Sequence, residues 1–216
     1  MKRVGFSKIT KRVYVDEIDN DKVMALQNKG YEVYPLGGKP VYFAHKTSHG
    51  LCSGPTAYSA RHCFGTPLDN IKNRKYEIVG HGVEGAVVKD YSPPLWNIFV
   101  QIARFFGGGY GVRDVVRVST PLYPTDGQVA VVTGGVLAQP IGLFAPVLGV
   151  EPEDVVDSNV IVHVDVPETD EIQCHIFDYA IIDIFIDKLP WPHELLVAKC
   201  KKHLRPGNSG GPVYLE

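Results

Sequence analysis

Short apolar segments, separated by glycine and proline, make up most of the chain. They are rich in valine, isoleucine, tyrosine and phenylalanine, and apolar and polar positions alternate most clearly at residues 160–166. This pattern is typical of strands in an all-β sandwich or barrel. It predicts strands at 40–45, 51–59, 76–81, 85–89, 115–119, 128–133, 159–166, 175–186, 195–199 and 212–215.

Helical patterns are few. Residues 19–29 combine a capping side chain with apolar positions on one face, which predicts a short helix. Residues 96–106 fit a helix or a strand equally well, and the glycine-rich segment 107–111 after them fits a flexible loop. The acidic segment 151–157 is predicted to be a solvated loop.

The length of 216 residues suits one large domain or two small ones. A net charge of −2 with scattered basic residues gives no indication of nucleic-acid binding. No apolar run approaches the roughly 18 residues of a membrane span, and none of signal-peptide length follows the basic N-terminus. We therefore expect an intracellular protein without a membrane partner.

Four cysteines are present, at positions 52, 63, 174 and 200, and none has a CxxC neighbour. That spacing argues against a zinc site, and we expect neither a metal nor another cofactor. Because no secretory signal is visible, buried free thiols are the default interpretation.

Residues 207–212 carry the strongest chemical signal, with the sequence Gly-Asn-Ser-Gly-Gly-Pro. Acyl transfer needs an accessible hydroxyl and hydrogen-bond donors aimed at the developing oxyanion. Ser209 supplies the hydroxyl, and Gly207 allows a backbone turn in which the N–H groups of Gly207 and Ser209 point together. The alternative is a glycine-rich turn in a β-protein.

This segment resembles the nucleophile loop of chymotrypsin-like serine proteases, and the preceding Pro206 is most similar to HtrA-type and viral members. The family's histidine segment is resembled by residues 56–63, Thr-Ala-Tyr-Ser-Ala-Arg-His-Cys, with an inserted Arg61. The resemblance implies that His62 is the general base for Ser209. Cys52 and Cys63 stand where many members carry a disulfide, whereas the missing signal favours thiols, so both alternatives stay open.

Asp178 is our first choice for the carboxylate that orients His62. It leads into the apolar residues 179–182 and resembles the family's Asp-x-Ala strand. Its interval of 31 residues to Ser209 is short, however, for the strands that a second barrel needs.

Two other aspartates are alternatives. Asp114 has intervals that suit the family, but Arg117 would then stand where a buried apolar residue is expected. Asp90 fits the shorter spacing of viral members, but the prolines at 93 and 94 cannot continue a central strand.

The resemblance implies a double β-barrel. Residues 1–39 are expected to form an N-terminal extension with a short helix, 40–120 the first barrel with His62, and 121–216 the second barrel with Ser209. In this family two further strands follow the nucleophile strand and complete the pocket for the P1 side chain. Only seven residues follow Ser209, so we expect a fragment with an incomplete second barrel, unless another segment fills the gap.

The implied function is a serine endopeptidase that acts on a polypeptide. His203 stands where the family has the base of the S1 pocket, and with its basic neighbours it suggests an acidic P1 side chain; a solvated basic edge is the alternative. The terminal Glu216 would suit self-cleavage by a viral polyprotein protease. An HtrA-type peptidase and a catalytically silent, protease-like binding module are the other two interpretations.

Overall fold

The computed structural model describes residues 1–43, 56–78, 83–121, 123–165 and 168–216. The described residues form fourteen strands, three α-helices and one short 3₁₀ turn, which confirms the all-β class. Within these residues no helix combines the length and the apolar character needed to cross a bilayer.

The strands are β1 (Arg3–Ser7), β2 (Arg12–Val15), β3 (Glu32–Pro35), β4 (Val41–Tyr42), β5 (Tyr58–Ser59), β6 (Lys75–Ile78), β7 (Val83–Asp90), β8 (Val116–Val118), β9 (Gln128–Val136), β10 (Ile141–Pro146), β11 (Asn159–Val164), β12 (Asp170–Ile186), β13 (Leu189–Cys200) and β14 (Pro212–Leu215). The helices are α1 (Asn20–Asn28), α2 (Pro94–Phe105) and α3 (Pro152–Val155), and the 3₁₀ turn is Arg61–Cys63.

A large sheet runs in the order β11-β14-β9-β10-β13-β12-β1-β2-β3, and β4 pairs with β9 beside this path. Because β11 also pairs with β12, the six strands from β9 to β14 close into a ring. Strands β1 to β3 extend the sheet outward from β12. Residues that we expected to form an extension thus belong to this sheet.

Five of the six ring strands, β9 to β13, precede Ser209 in the chain, and β14 follows it. β14 lies between β9 and β11, and β12 pairs with β13. The β11–β12 hairpin completes the ring, because β11 pairs with β12 on one side and with β14 on the other. Closure of this ring requires no strand beyond β14.

Burial along the strands follows from this arrangement. Every residue of β9 is buried because the strand is covered on both faces. The first half of β12 alternates, with Ile172, Cys174 and Ile176 buried between more exposed positions. From Asp178 to Ile184 the same strand is buried at every position, since β1 pairs with it there.

A separate four-stranded sheet has the order β5-β8-β7-β6. Its core consists of Ala60, Cys63, Phe64, Ile71, Tyr76, Val87, Val116 and Val118. This sheet and the 3₁₀ turn after β5 lie beside β4 and the loop before β14, and that junction contains the candidate site.

The helices partly match expectation. α1 confirms the helix predicted at 19–29, with the Asp19 carboxylate accepting the N–H groups of Asp21 and Lys22. The ambiguous segment 96–106 is helical in α2. The loop predicted at 151–157 is wrong in part, because α3 buries Pro152 and Val155.

The predicted strands are present wherever they fall on described residues, although the strand predicted at 51–59 is reduced there to β5. Parts of four predictions, residues 44–45, 51–55, 79–81 and 166, lie outside the described residues. Strands β1, β2, β3 and β10 were not predicted.

The expectation of free thiols is wrong for three cysteines, Cys63, Cys174 and Cys200, each of which is disulfide-bonded. Cys174 of β12 and Cys200 of β13 are register partners and are joined by a disulfide. The expectation rested on the absence of a signal, whereas strand pairing sets which side chains meet. Cys52 lies outside the described residues.

Candidate active site

His62 forms a buried pair with Asp114. His62 lies in the 3₁₀ turn after β5, and Asp114 lies two residues before β8. One Asp114 carboxylate oxygen is 2.5 Å from His62 Nδ1, and the other accepts the His62 backbone N–H at 2.8 Å. These two bonds fix both the imidazole ring and its backbone, as an orienting carboxylate must do.

Neighbouring groups stabilise the ionised form of Asp114. Burial alone raises the pKa of a carboxyl group. Here the charge and hydrogen bond of His62, the charge of His193 and the His62 backbone N–H outweigh burial and lower the pKa of Asp114. A carboxylate that stays ionised in a buried place can stabilise an imidazolium beside it.

Asp178, the first choice from the sequence, is wrong as the partner of His62. Its side chain is fully buried. One oxygen accepts Ser7 Oγ at 2.7 Å and the Tyr179 N–H at 2.8 Å, and the other accepts Tyr14 Oη at 2.5 Å. The Asp-x-Ala pattern did identify a buried strand, but β1 and β2 supply the partners of this aspartate.

The sequence argued against Asp114 because Arg117 would then stand where a buried apolar residue is expected. In β8 the alternation buries Val116 and Val118 and leaves Arg117 exposed. The arginine therefore occupies the solvent side of the strand, and no buried position is lost.

Asp90, the third alternative, pairs with the inserted Arg61. Arg61 Nε lies 3.0 and 3.1 Å from the two carboxylate oxygens of Asp90. The guanidinium also donates to the backbone carbonyls of Thr66 and Asp69. Both side chains are nearly buried, so this pair holds the turn that carries His62.

Tyr42 and His193 complete the surroundings of His62 and were not predicted. The Tyr42 ring stacks on the imidazole, with ring centroids 4.4 Å apart and planes at 30°. Tyr42 Oη and His193 Nε2 share a hydrogen bond of 2.6 Å. Burial lowers the pKa of His193 to about 4, and burial together with the charge of Asp114 raises the pKa of Tyr42.

Ser209 lies in the loop before β14 and is fully buried. Gly207 and Gly210 on either side have φ of +96° and +83°, a region that favours glycine. Ser209 Oγ donates to the Thr133 carbonyl of β9 at 2.9 Å. His62 Nε2 is buried and has no hydrogen-bond partner among the described residues. The two groups are thus not hydrogen-bonded to each other in this conformation.

The predicted oxyanion donors are also not both available. The Gly207 N–H donates to the Phe43 carbonyl at 3.0 Å. An oxyanion hole built on Gly207 and Ser209 needs that N–H to be released.

The loop of Ser209 nevertheless contacts the segment that leads to His62. A Cβ added at Gly210 would stand 2.6 Å from Ser59 Oγ and 3.5 Å from the Ala60 backbone N. Only a glycine permits this approach. The loop of Ser209 therefore packs directly on the residues that precede His62.

His203 is exposed and lines an open cavity of about 420 Å³. Asn208, beside Ser209, lines the same cavity, so the cavity adjoins the loop of Ser209. Val164 and Ile172, which belong to the β11–β12 hairpin, form part of its wall. Charged residues complete the lining: Glu168, Asp170, Lys202 and Arg205.

Among the described residues, no group of three or more histidine, cysteine, aspartate or glutamate side chains could hold a metal ion. His45, His49 and His81 lie outside them. Comparison with protein-family models, with curated proteins and with solved structures gives no match to this chain.

Proposed function

We propose that the protein is a serine endopeptidase with Ser209 as nucleophile, His62 as general base and Asp114 as orienting carboxylate. The observation that carries the proposal is the buried His62–Asp114 pair, whose open Nε2 lies on a turn packed against the Ser209 loop. A histidine held through Nδ1 with Nε2 unpaired is prepared to accept a proton.

In the proposed reaction, Ser209 Oγ attacks the carbonyl carbon of a peptide while its proton passes to His62 Nε2. The resulting imidazolium is stabilised by the Asp114 carboxylate and then gives the proton to the leaving amine. Water, deprotonated by His62, hydrolyses the acyl-enzyme and restores the serine.

The reaction requires two local changes. Ser209 Oγ must leave the Thr133 carbonyl and turn toward His62, and the Gly207 N–H must leave the Phe43 carbonyl and turn toward the oxyanion. We propose that the described conformation is a resting state and that substrate binding drives both changes.

The double-barrel interpretation belongs to the same proposal. The ring of β9 to β14 would be the second barrel, and the four-stranded sheet with the His62 turn would be part of the first. The β11–β12 hairpin would then serve as the wall of the substrate pocket, since Val164 and Ile172 line the cavity beside Asn208.

For specificity we propose that this cavity is the S1 pocket and that His203 binds an acidic P1 side chain. Lys202 is paired with Asp170 at 2.8 Å, so its charge is already compensated. His203 and Arg205 are the remaining basic groups of the lining. Replacing His203 by Gln should lower kcat/KM for peptides with glutamate at P1 more than for peptides with glutamine. An unchanged ratio would exclude His203 from this role.

A fluorophosphonate probe tests the proposal without knowledge of the substrate. We expect wild-type protein to be labelled at Ser209, and Ser209→Ala to lose the label. Ser59→Ala is the matched control, because Ser59 is also buried and packs on the same loop. Labelling that persists in Ser209→Ala would contradict the assignment.

A catalytically silent, protease-like binding module is the second candidate. It is favoured by the full burial of Ser209 and by the engagement of its hydroxyl with the Thr133 carbonyl. This candidate predicts no labelling of the folded wild-type protein.

A further inference from the structure

Helix α2 exposes its apolar face. Phe105 is 86% exposed, and Phe106, immediately after the helix, is 80% exposed. The other exposed apolar side chains of the helix are Leu95, Trp96, Ile98, Phe99 and Ile102. Their spacing of three and four residues places most of them on one side of the helix. A surface helix of a globular protein normally turns this side toward the core.

The opposite, polar face of α2 attaches the helix to the protein. Asn97 is buried and donates to the backbone carbonyls of Pro67 and Ser92. Gln101 donates to a backbone carbonyl at 2.6 Å, and Arg104 pairs with Asp183. These bonds fix the orientation of the helix, so the apolar side cannot turn inward without breaking them.

A basic cavity of about 680 Å³ lies at the C-terminal end of the same helix. Five cationic side chains line it: Arg3, Lys11, Arg12, Lys29 and Arg104. None of its described lining residues is acidic. Three carboxylates outside the lining pair with two of these cations: Glu32 and Asp178 with Arg12, and Asp183 with Arg104. Subtracting these three charges from the five leaves a net charge of +2.

The apolar face and the basic cavity are adjacent. Gly107, Gly108 and Gly109 line the cavity and directly follow the exposed Phe105 and Phe106. Aromatic and aliphatic side chains beside cationic groups are the combination that binds the interface of a bilayer with anionic headgroups. A membrane surface of this kind supplies an apolar layer and negative charge together, which matches the apolar face and the basic cavity.

We propose that α2 and the basic cavity dock the protein on a membrane surface that contains anionic lipid. Phenylalanines 105 and 106 insert among the acyl chains near the headgroups, and the cavity binds lipid phosphate or carboxylate groups. The sequence-based expectation of no membrane partner rested on the lack of a spanning segment. A helix that lies in the interface needs none.

Co-sedimentation of the full chain with vesicles tests the proposal. We expect the protein to bind phosphatidylcholine vesicles that contain phosphatidylserine, with binding weakened by salt, and to bind pure phosphatidylcholine far less. The double variant Phe105→Ser/Phe106→Ser should lower the partition coefficient by about tenfold or more. Lys11→Glu/Lys29→Glu should lower it by about fivefold or more.

Matched controls separate docking from general surface effects. Met24→Ser removes an exposed apolar side chain from α1, and Lys72→Glu reverses an exposed charge elsewhere. Both should bind like the wild type. All substituted residues are exposed, so circular dichroism should report an unchanged fold.

Two results would overturn the proposal. The first is wild-type protein that stays in the supernatant with anionic vesicles, or a phenylalanine double variant that sediments as the wild type does. The second is a concentration-dependent dimer that the double variant abolishes while no vesicle binding occurs. That outcome would assign the face to a second copy of the chain.

Discussion

Replacing Asp114 by Asn tests the assignment of the carboxylate most directly. The amide can keep its oxygen on the His62 backbone N–H, where the carboxylate now accepts at 2.8 Å. Its NH₂ group then faces Nδ1, which must become an acceptor. The proton moves to Nε2, and the histidine can no longer take the proton of Ser209. Loss of the correct tautomer costs about 10⁴-fold in turnover, or about 5.4 kcal/mol of transition-state stabilisation.

The assay is the second-order rate of fluorophosphonate labelling at Ser209, measured near neutral pH on protein shown to be folded. Asp178→Asn is the matched control, because this aspartate is also buried and also accepts hydrogen bonds on both carboxylate oxygens. It should lose about 1–3 kcal/mol of stability while labelling at nearly the wild-type rate. The reasoning is refuted if Asp114→Asn keeps the wild-type rate, or if folded Asp178→Asn loses labelling to the same extent.

Three further predictions concern stability and are measured by urea unfolding. Arg61→Met leaves the Asp90 carboxylate buried without its cation, so the free energy of unfolding should fall by about 3 kcal/mol or more; an unchanged midpoint would contradict this. Burial lowers the pKa of His193 to about 4 from an ordinary 6.5, so the unfolded chain binds the proton first as the pH falls. As the pH falls between those values, the free energy of unfolding of the wild type should decrease by about 1.4 kcal/mol per pH unit, and that of His193→Gln should lack this decrease. Parallel plots of unfolding free energy against pH for the two proteins would contradict this prediction. Cys200→Ala removes the disulfide to Cys174, which spans a separation of 26 residues. The free energy of unfolding should fall by about 3.5 kcal/mol. If reducing agent destabilised the wild type and the variant equally, this prediction would be wrong.

Local patterns in the sequence were enough to predict much of the fold. Strands such as β9, β11 and β14 carry unbroken or alternating apolar residues, so their positions follow from periodicity. β10 was missed because glycine and proline at positions 142 and 146 resemble a loop. β1 was missed because its strand character depends on pairing with β12, far along the chain.

Only those residues of the candidate site that belong to a short sequence motif could be predicted. Ser209 and His62 stand in short motifs, whereas the choice between Asp114 and Asp178 depends on which strands meet. Both aspartates are buried beside apolar strands, so local sequence does not separate them. Tyr42 and His193 carry no motif, and only the pairing of β4 with β9 brings Tyr42 to the site.

The position of β14 in the ring links the integrity of the fold to the position of Ser209, the proposed nucleophile. β14 is hydrogen-bonded to β9 on one side and to β11 on the other. Its detachment would break both strand pairings and displace the loop of Ser209. Local opening of this one strand and inactivation would then be a single event, visible as amide exchange in β14 at the rate at which labelling competence is lost. During synthesis β14 is also the last of the six strands to appear. The ring therefore cannot close until that strand has been made.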